Sequence, residues 1–212
     1  MSWCIISFML LVGLTGNYGM GKTSVLNMFA NLGARTLDAD RIVEELLSEK
    51  PVISKLNSVL GSRVGCGQDG VDRVEVAKII FRDSRLRRAV EDILHPLVFE
   101  RIDKLLGSPW KGAPVCIVEV PVLFERGYEK KFHRTIAVHT EQKTALNRLG
   151  KQGVREEHAL LRYNAQIPVD EKIKRADFAI DNNGGLGETR KQVMRVYQRL
   201  VQEAESGNYS RH

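Results

Sequence analysis

Eight consecutive residues, Gly16-Asn17-Tyr18-Gly19-Met20-Gly21-Lys22-Thr23, fit G-x-x-x-x-G-K-[ST], a spacing that holds the phosphates of a nucleotide. The chemistry explains the residue types. Glycines let the backbone curl until successive N–H groups converge on phosphate oxygens, and a helix starting where the loop ends favours the same anions with its dipole. Gly16, Gly19, Met20, Gly21 and Ser24 are the expected nucleotide-side positions. Lys22 is expected to reach the β- and γ-phosphates, and Thr23 to offer its hydroxyl to Mg²⁺. Acidic residues complete the list of groups able to act on a phosphoryl donor and its acceptor. Asp38-Ala39-Asp40 follows an apolar run, and a carboxylate there can accept a proton from an attacking hydroxyl or hold a water on the metal. Asp40 is equally suited to cap a helix starting at Arg41. Glu119 closes a later apolar run where a metal-side carboxylate belongs, with Glu125 as its rival.

These groups need a scaffold that brings strand ends together. Five short, β-branched-rich apolar runs, at 10–15, 35–37, 115–120, 135–139 and 178–180, read as strands of a parallel sheet separated by crossover helices. The first run leads directly into the glycine-rich loop, and 24–32 reads as the helix after it, the order that phosphate binding requires. Between the second and third runs the sequence is almost wholly helical in period, at 41–47, 52–60, 73–81 and 86–106. A turn cluster at 65–70 breaks it. This predicts a helical insertion at one sheet edge, suited to a second substrate. Residues 142–166 place Arg148, Lys151, Arg155 and Arg162 around Gly150 and Gly153. In a chain with a phosphate loop this pattern suits a basic lid, although a solvated helix face has the same composition. A last helix is expected over about 187–203, with 206–212 fraying.

Bulk properties narrow the class. The 212 residues are 43% apolar and 27% charged, with a formal net charge of +6, as expected of a globular protein with a polyanionic partner. No helix-turn-helix signature, zinc-finger spacing or basic–aromatic interleaving directs that charge to nucleic acid. Cys4, Cys66 and Cys116 are odd in number and far apart, which reads as free thiols in a reducing compartment. The apolar stretch at 3–14 lacks a preceding Lys or Arg and a small-x-small cleavage site, and runs straight into the loop. It is too short to span a bilayer as a helix. The expectation is a cytoplasmic protein without a membrane segment, starting at Met1 or Met9.

In this light the chain resembles the dephospho-coenzyme A kinases from Leu11 to about Val201. Val12-Gly13-Leu14-Thr15-Gly16 with Gly19-Met20-Gly21-Lys22-Thr23 is similar to the family's GLTGGIGSGKS opening, and Leu37-Asp38-Ala39-Asp40 to its DAD signature. Asp69-Gly70-Val71-Asp72-Arg73 with Ala77 and Phe81 resembles its DG-x-(apolar)-(D/N)-R…F segment. Leu94-His95-Pro96 resembles LHP, and Val120-Pro121-Val122-Leu123-Phe124-Glu125 resembles (V/I)PLLFE. Gln166-Ile167-Pro168 is similar to QxP, and the stretch from Arg175-Ala176-Asp177 to Asp181-Asn182-Asn183-Gly184 to the RAD…DN-x-G end.

The resemblance implies transfer of the ATP γ-phosphoryl group to the ribose 3′-hydroxyl of dephospho-coenzyme A. It implies a three-layer α/β fold of P-loop kinase type, with a five-stranded parallel sheet, a helical substrate-binding insertion and a lid. The nucleotide-binding core is expected at 1–40, 109–141 and 176–212, the coenzyme-binding insertion at 41–108 and the lid at 142–175. Asp40 becomes the base or Mg²⁺-water ligand, Arg73 and His95 lie near the acceptor, Arg148 belongs to the lid, and Asn182 and Asn183 lie by the adenine. His95 also suits a core or turn, and Arg73 a pair with Glu75. ATP and Mg²⁺ are the implied cofactors, dephospho-coenzyme A the implied partner, and a monomer or weak homo-oligomer the implied state. The chain departs from the pattern with Asn17-Tyr18 for Gly-Ile, Met20 for Ser, and Lys151 or a deletion for a second lid arginine. A kinase acting on another small acceptor and a non-enzymatic nucleotide switch are the competing classes. The second should carry Asn-Lys-x-Asp, which does not occur.

Overall fold

The computed structural model describes residues 9–61, 66–67, 70–71, 83–112, 114–207 and 209. In chain order the elements are β1 (Leu10–Thr15), α1 (Lys22–Asn31), β2 (Arg35–Asp38), α2 (Ala39–Leu46), α3 (Lys50–Leu60), β3 (Cys66–Gly67), β4 (Gly70–Val71), α4 (Ser84–Leu106), β5 (Val115–Glu119), a 3₁₀ turn (Tyr128–Lys131), β6 (Arg134–His139), α5 (Gln142–Lys151), α6 (Glu156–Asn164), α7 (Val169–Arg175), β7 (Phe178–Asp181) and α8 (Leu186–Ser206). They form two compact units, one of Ala39–Ser108 and one of the segments on either side.

The flanking segments build a five-stranded sheet in the order β2-β5-β1-β6-β7, parallel at every pairing. β1 reads LLVGLT and is buried along its whole length, as a central parallel strand covered on both faces must be. Leu10, Val12 and Leu14 join Val25 and Phe29 of α1, Ile117, Ile136 and Ile180 of neighbouring strands, and Val193 and Leu200 of α8 in one apolar cluster. Each such side chain taken from water contributes roughly 1.5–3 kcal/mol. On the opposite face a Cβ at Gly13 would lie 3.1 Å from Leu123 and 3.2 Å from Phe132. The missing side chain is what lets that layer close on β1. Asp177 fixes the entry to β7, where its Oδ2 accepts from Thr135 N at 2.7 Å and Thr135 Oγ1 at 2.8 Å.

In the unit Ala39–Ser108, α2, α3 and α4 carry the apolar spacing seen in the sequence. Val90, Leu94, Val98 and Ile102 recur every fourth residue along α4 and are buried, a stripe that packs on the preceding helices. Asp83 starts α4 by accepting from Arg85 N at 2.8 Å and Leu86 N at 3.2 Å, as a capping carboxylate should. Arg101 ties α4 back to Glu49, and lies 3.8 Å from Glu45.

All five expected strands are present. The turn cluster expected to break the insertion carries an antiparallel pair, β3 with β4. One expectation needs correction. The segment expected to fray contains Tyr209, whose ring meets His133 edge-on with centroids 4.8 Å apart and packs on the sheet's apolar cluster. An aromatic side chain found an apolar ledge that a terminal position alone does not reveal. Cys4, Arg73, Ala77 and Phe81, with the helix expected at 73–81, lie outside the described residues. Among the described residues no helix is long and apolar enough to cross a membrane.

Candidate active site

β1 ends beside both β5 and β6, at the point where the strand order reverses direction, and the crevice beyond such strand ends is where parallel sheets receive ligands. The glycine-rich loop leaves the sheet there. Gly16 takes φ 153°, and a Cβ would come within 2.3 Å of the Val138 carbonyl oxygen. Gly21 takes φ 84° as the residue before α1, and its Cβ would lie 2.3 Å from Asn182 Nδ2. Neither position accepts a side chain. Among the described residues no non-glycine has a positive φ, so Asn17 occupies its place in the loop with a negative φ. Gly21 brings no capping side chain to α1, and an uncapped helix start is suited to an anion.

Two side chains of α1 converge on one carboxylate. Thr23 Oγ1 donates to Glu119 at 3.1 Å to Oε2 and 3.4 Å to Oε1. Lys22 Nζ stands 3.9 Å from Glu119 Oε1 and 3.5 Å from the Asn17 carbonyl. Lys22 and Glu119 are both buried, at 9% and 6% exposure. The register explains how they meet: Glu119 ends β5 with Leu14 beside it on β1 and Asp38 beside it on β2. A hydroxyl and a carboxylate at hydrogen-bond distance form an all-oxygen donor set. That set suits Mg²⁺, which keeps most of its shell for water and phosphate. Glu125 has other partners. Its Oε1 lies 2.8 Å from Lys172 Nζ and accepts from Ile167 N at 3.3 Å. Of the two carboxylates left open by the sequence, Glu119 is the one at the loop.

The expected adenine-side residues are tied into the framework by their side chains. Asn182 Nδ2 donates to the Met20 carbonyl at 2.9 Å, and its Oδ1 accepts from Thr189 at 3.0 Å. Asn183 Oδ1 accepts from Thr140 Oγ1 and from Glu141 N, both at 2.7 Å. The main-chain N–H groups are committed as well, Asn182 N to the His139 carbonyl and Asn183 N to Asp181 Oδ1, both at 2.8 Å. Arg148 donates through Nη2 to the Asn182 carbonyl at 2.9 Å, while its Nη1 is buried without a hydrogen-bond partner, 3.8 Å from where a Gly21 Cβ would be. A guanidinium half-committed beside the loop is ready to donate to an anion. Met20 is wholly buried, and its sulfur accepts from Asn17 N at 3.3 Å, so its side chain packs beneath the loop. Thr23 and Ser24 are exposed.

Asp38 ends β2, beside Glu119 in the register. Asp40 lies in the first turn of α2 and is exposed. His95 is half-buried in mid-α4, next to Pro96, which the helix accommodates internally. Arg73 is outside the described residues. Sequence reasoning missed the residues that brace the loop from behind. Tyr18 N donates to Gln166 Oε1 at 2.8 Å, Asn17 Nδ2 donates to the Ile167 carbonyl at 3.1 Å, and the Arg162 guanidinium lies 5.1 Å from the Tyr18 ring centroid. Lys172 belongs to this set and is completely buried. Burial pushes its pKa down, the hydrogen bond and charge of Glu125 pull it up, and the charge of Lys22 adds a further downward push. The one available signal was Lys172 falling three residues after Val169 on the inward side of α7.

A parallel sheet whose first strand feeds a phosphate loop and helix, with a lysine and a hydroxyl facing an acidic strand end, defines a P-loop kinase. A shikimate kinase from Acinetobacter baumannii shares the fold, with a TM-score of 0.52 over 93% of this chain and 96% of that one at 14% identity. The chain belongs to the dephospho-CoA kinase family: the family's sequence model, CoaE, matches residues 10–188. The dephospho-CoA kinase of Aquifex aeolicus is 34% identical over 193 residues, covering 91% of this chain and 98% of that protein. A crystal structure of TT1252 from Thermus thermophilus aligns with a TM-score of 0.81 at 28% identity, over 90% of this chain and 97% of that one.

Proposed function

We propose that this protein is the kinase that transfers the γ-phosphoryl group of ATP to the ribose 3′-hydroxyl of dephospho-coenzyme A, giving coenzyme A and ADP. One observation carries the reading. In a chain of the dephospho-CoA kinase family, the phosphate loop sets Lys22 and Thr23 against a single buried carboxylate, Glu119. Phosphoryl transfer needs little covalent chemistry from the protein and much positioning and charge neutralisation. The loop backbone from Gly16 to Thr23 holds the phosphates, and Lys22 follows the charge that builds on the β- and γ-oxygens. Arg148 adds its second donor from beside Gly21. Thr23 and Glu119 would hold Mg²⁺, which would supply charge neutralisation at the phosphates. Asp40 orients the acceptor hydroxyl and takes its proton. Arg73 and His95 belong to the coenzyme-binding insertion, Asn182 and Asn183 lie by the adenine, and residues 142–175 form the lid. The reading requires neither nucleic acid nor a second copy of the chain, and a cytoplasmic location suits the free, buried thiol of Cys116.

The test is ADP release by the purified protein with dephospho-coenzyme A, AMP, shikimate and gluconate as rival acceptors. Stimulation by dephospho-coenzyme A, lost in Asp40→Ala while ATP still binds, is expected. Stimulation by another acceptor alone would transfer the fold to a different substrate, and full turnover in Asp40→Ala would remove that residue from the chemistry.

A further inference from the structure

Lys172 is a buried cation that phosphoryl transfer, as described above, does not use. Its side chain is 0% exposed, in a place where an apolar side chain of similar volume would avoid the cost of taking a charge out of water. What the charge does there follows from its partners. Lys172 Nζ donates to the Pro121 carbonyl at 3.0 Å and pairs with Glu125 at 2.8 Å. The same Pro121 oxygen accepts from Gln166 Nε2 at 3.2 Å and from Thr15 Oγ1, the last residue of β1, at 3.2 Å. Glu125 accepts in turn from Ile167 N at 3.3 Å. The ammonium therefore holds the turn after β5, and that turn holds Gln166 and Ile167. Their other ends grip the phosphate loop: Gln166 Oε1 takes the Tyr18 N–H at 2.8 Å and the Ile167 carbonyl takes Asn17 Nδ2 at 3.1 Å.

We propose that Lys172 and Gln166 are positioning residues for phosphoryl transfer. In this proposal residues 166–172 form a strut, anchored by the buried Lys172–Glu125 pair, that fixes the Asn17-Tyr18 apex of the phosphate loop. This rests on the reading of 16–23 as the ATP-binding loop. The strut acts by preorganisation. The Tyr18 amide is committed to Gln166 before any nucleotide arrives, so the apex is held in shape and the loop's curvature is set in advance. Arg162, over the Tyr18 ring at 5.1 Å, presses on the same apex from α6. The apex residues are those in which this chain departs from its family's Gly-Ile, and both use the side chain or amide that the strut engages.

The test compares Gln166→Ala and Lys172→Met with the wild type in the full chain. Hydrogen exchange of the peptide covering 16–23 is followed without nucleotide, and initial rates with ATP and dephospho-coenzyme A are measured alongside. Losing an outer support of a bound-ligand site weakens it roughly tenfold or more. The expected result is exchange faster by about that factor at the loop while β1 and β6 keep wild-type protection, with KM for ATP raised and KM for dephospho-coenzyme A unchanged. Lys172→Met risks misfolding, so Gln166→Ala, at a half-buried position, carries the decision. Wild-type exchange at 16–23 in Gln166→Ala would overturn the proposal, as would acceleration spread equally through β1 and β6. Because exchange is read without ATP, a wild-type protein that lacks kinase activity would refute the ATP reading and still leave the strut decided by its own measurement.

Discussion

Two lysine–carboxylate pairs lie in the same unit and behave differently. Lys22 and Glu119 stand 3.9 Å apart, with Thr23 donating to the same carboxylate. Lys172 and Glu125 close to 2.8 Å, with a backbone carbonyl and a backbone amide completing the knot. In the first pair the ammonium stands beyond hydrogen-bond distance of the carboxylate. The second is spent on holding the chain. Identical residue types thus serve reaction and architecture, and the distance between partners, with what else each partner binds, separates the two roles.

The comparison can be broken at its reactive end first. Lys22→Ala is expected to lower kcat/KM for ATP on the order of 100- to 1,000-fold, the usual cost of removing one preorganised charge at a transition state, while the folded structure persists. Unchanged kinetics would disqualify the loop. Glu119→Gln keeps an oxygen for Thr23 and loses the negative charge. Its expected signature is a Mg²⁺ requirement shifted upward roughly 10- to 100-fold, read from rate against metal concentration. An unshifted metal titration would assign Glu119 to structure and erase the contrast with Glu125.

At the architectural end, Lys172→Met strands a buried carboxylate and is expected to cost about 3–5 kcal/mol in urea unfolding. Adding Glu125→Gln should return part of that loss, since the charge left unpaired has gone. Additive effects in the double variant would show that the pair is not coupled. The smallest effect belongs to Cys116 on β5. Burial pushes its thiol up to about 12, with the Arg35 charge opposing, so the native thiolate is scarce at pH 8 and a maleimide should label Cys116 only after unfolding. Above pH 9 the unfolded chain releases this proton and the folded chain retains it, so stability falls as pH rises from about 9 towards 12. Rapid native labelling at Cys116, read by peptide mass, would contradict the burial.

Much of this was legible in residue order. Gly16 to Thr23 set the loop, and the uncharged run of β1 marked a doubly covered strand. The choice between Glu119 and Glu125 was not legible, because both follow apolar stretches and their fates depend on Thr23 and Lys172, residues distant in sequence. Lys172 itself lies in VDEKIKR, where charge composition says solvent and only packing says interior. Asn182 and Asn183 were placed near the nucleotide, but their side chains hold the Met20 carbonyl and the Thr140 hydroxyl, contacts that exist only once β7 lies beside β6. Local patterns record what an element is; which of its polar atoms another element will claim is decided by the fold.

The most direct measurement is identification of the product, by phosphorus NMR and mass, after incubating the protein with ATP, Mg²⁺ and dephospho-coenzyme A. The account predicts ADP and coenzyme A in equal amounts, with the new phosphate on the ribose 3′-oxygen. ATP consumed to give free phosphate, or a coenzyme precursor recovered unmodified, would contradict it.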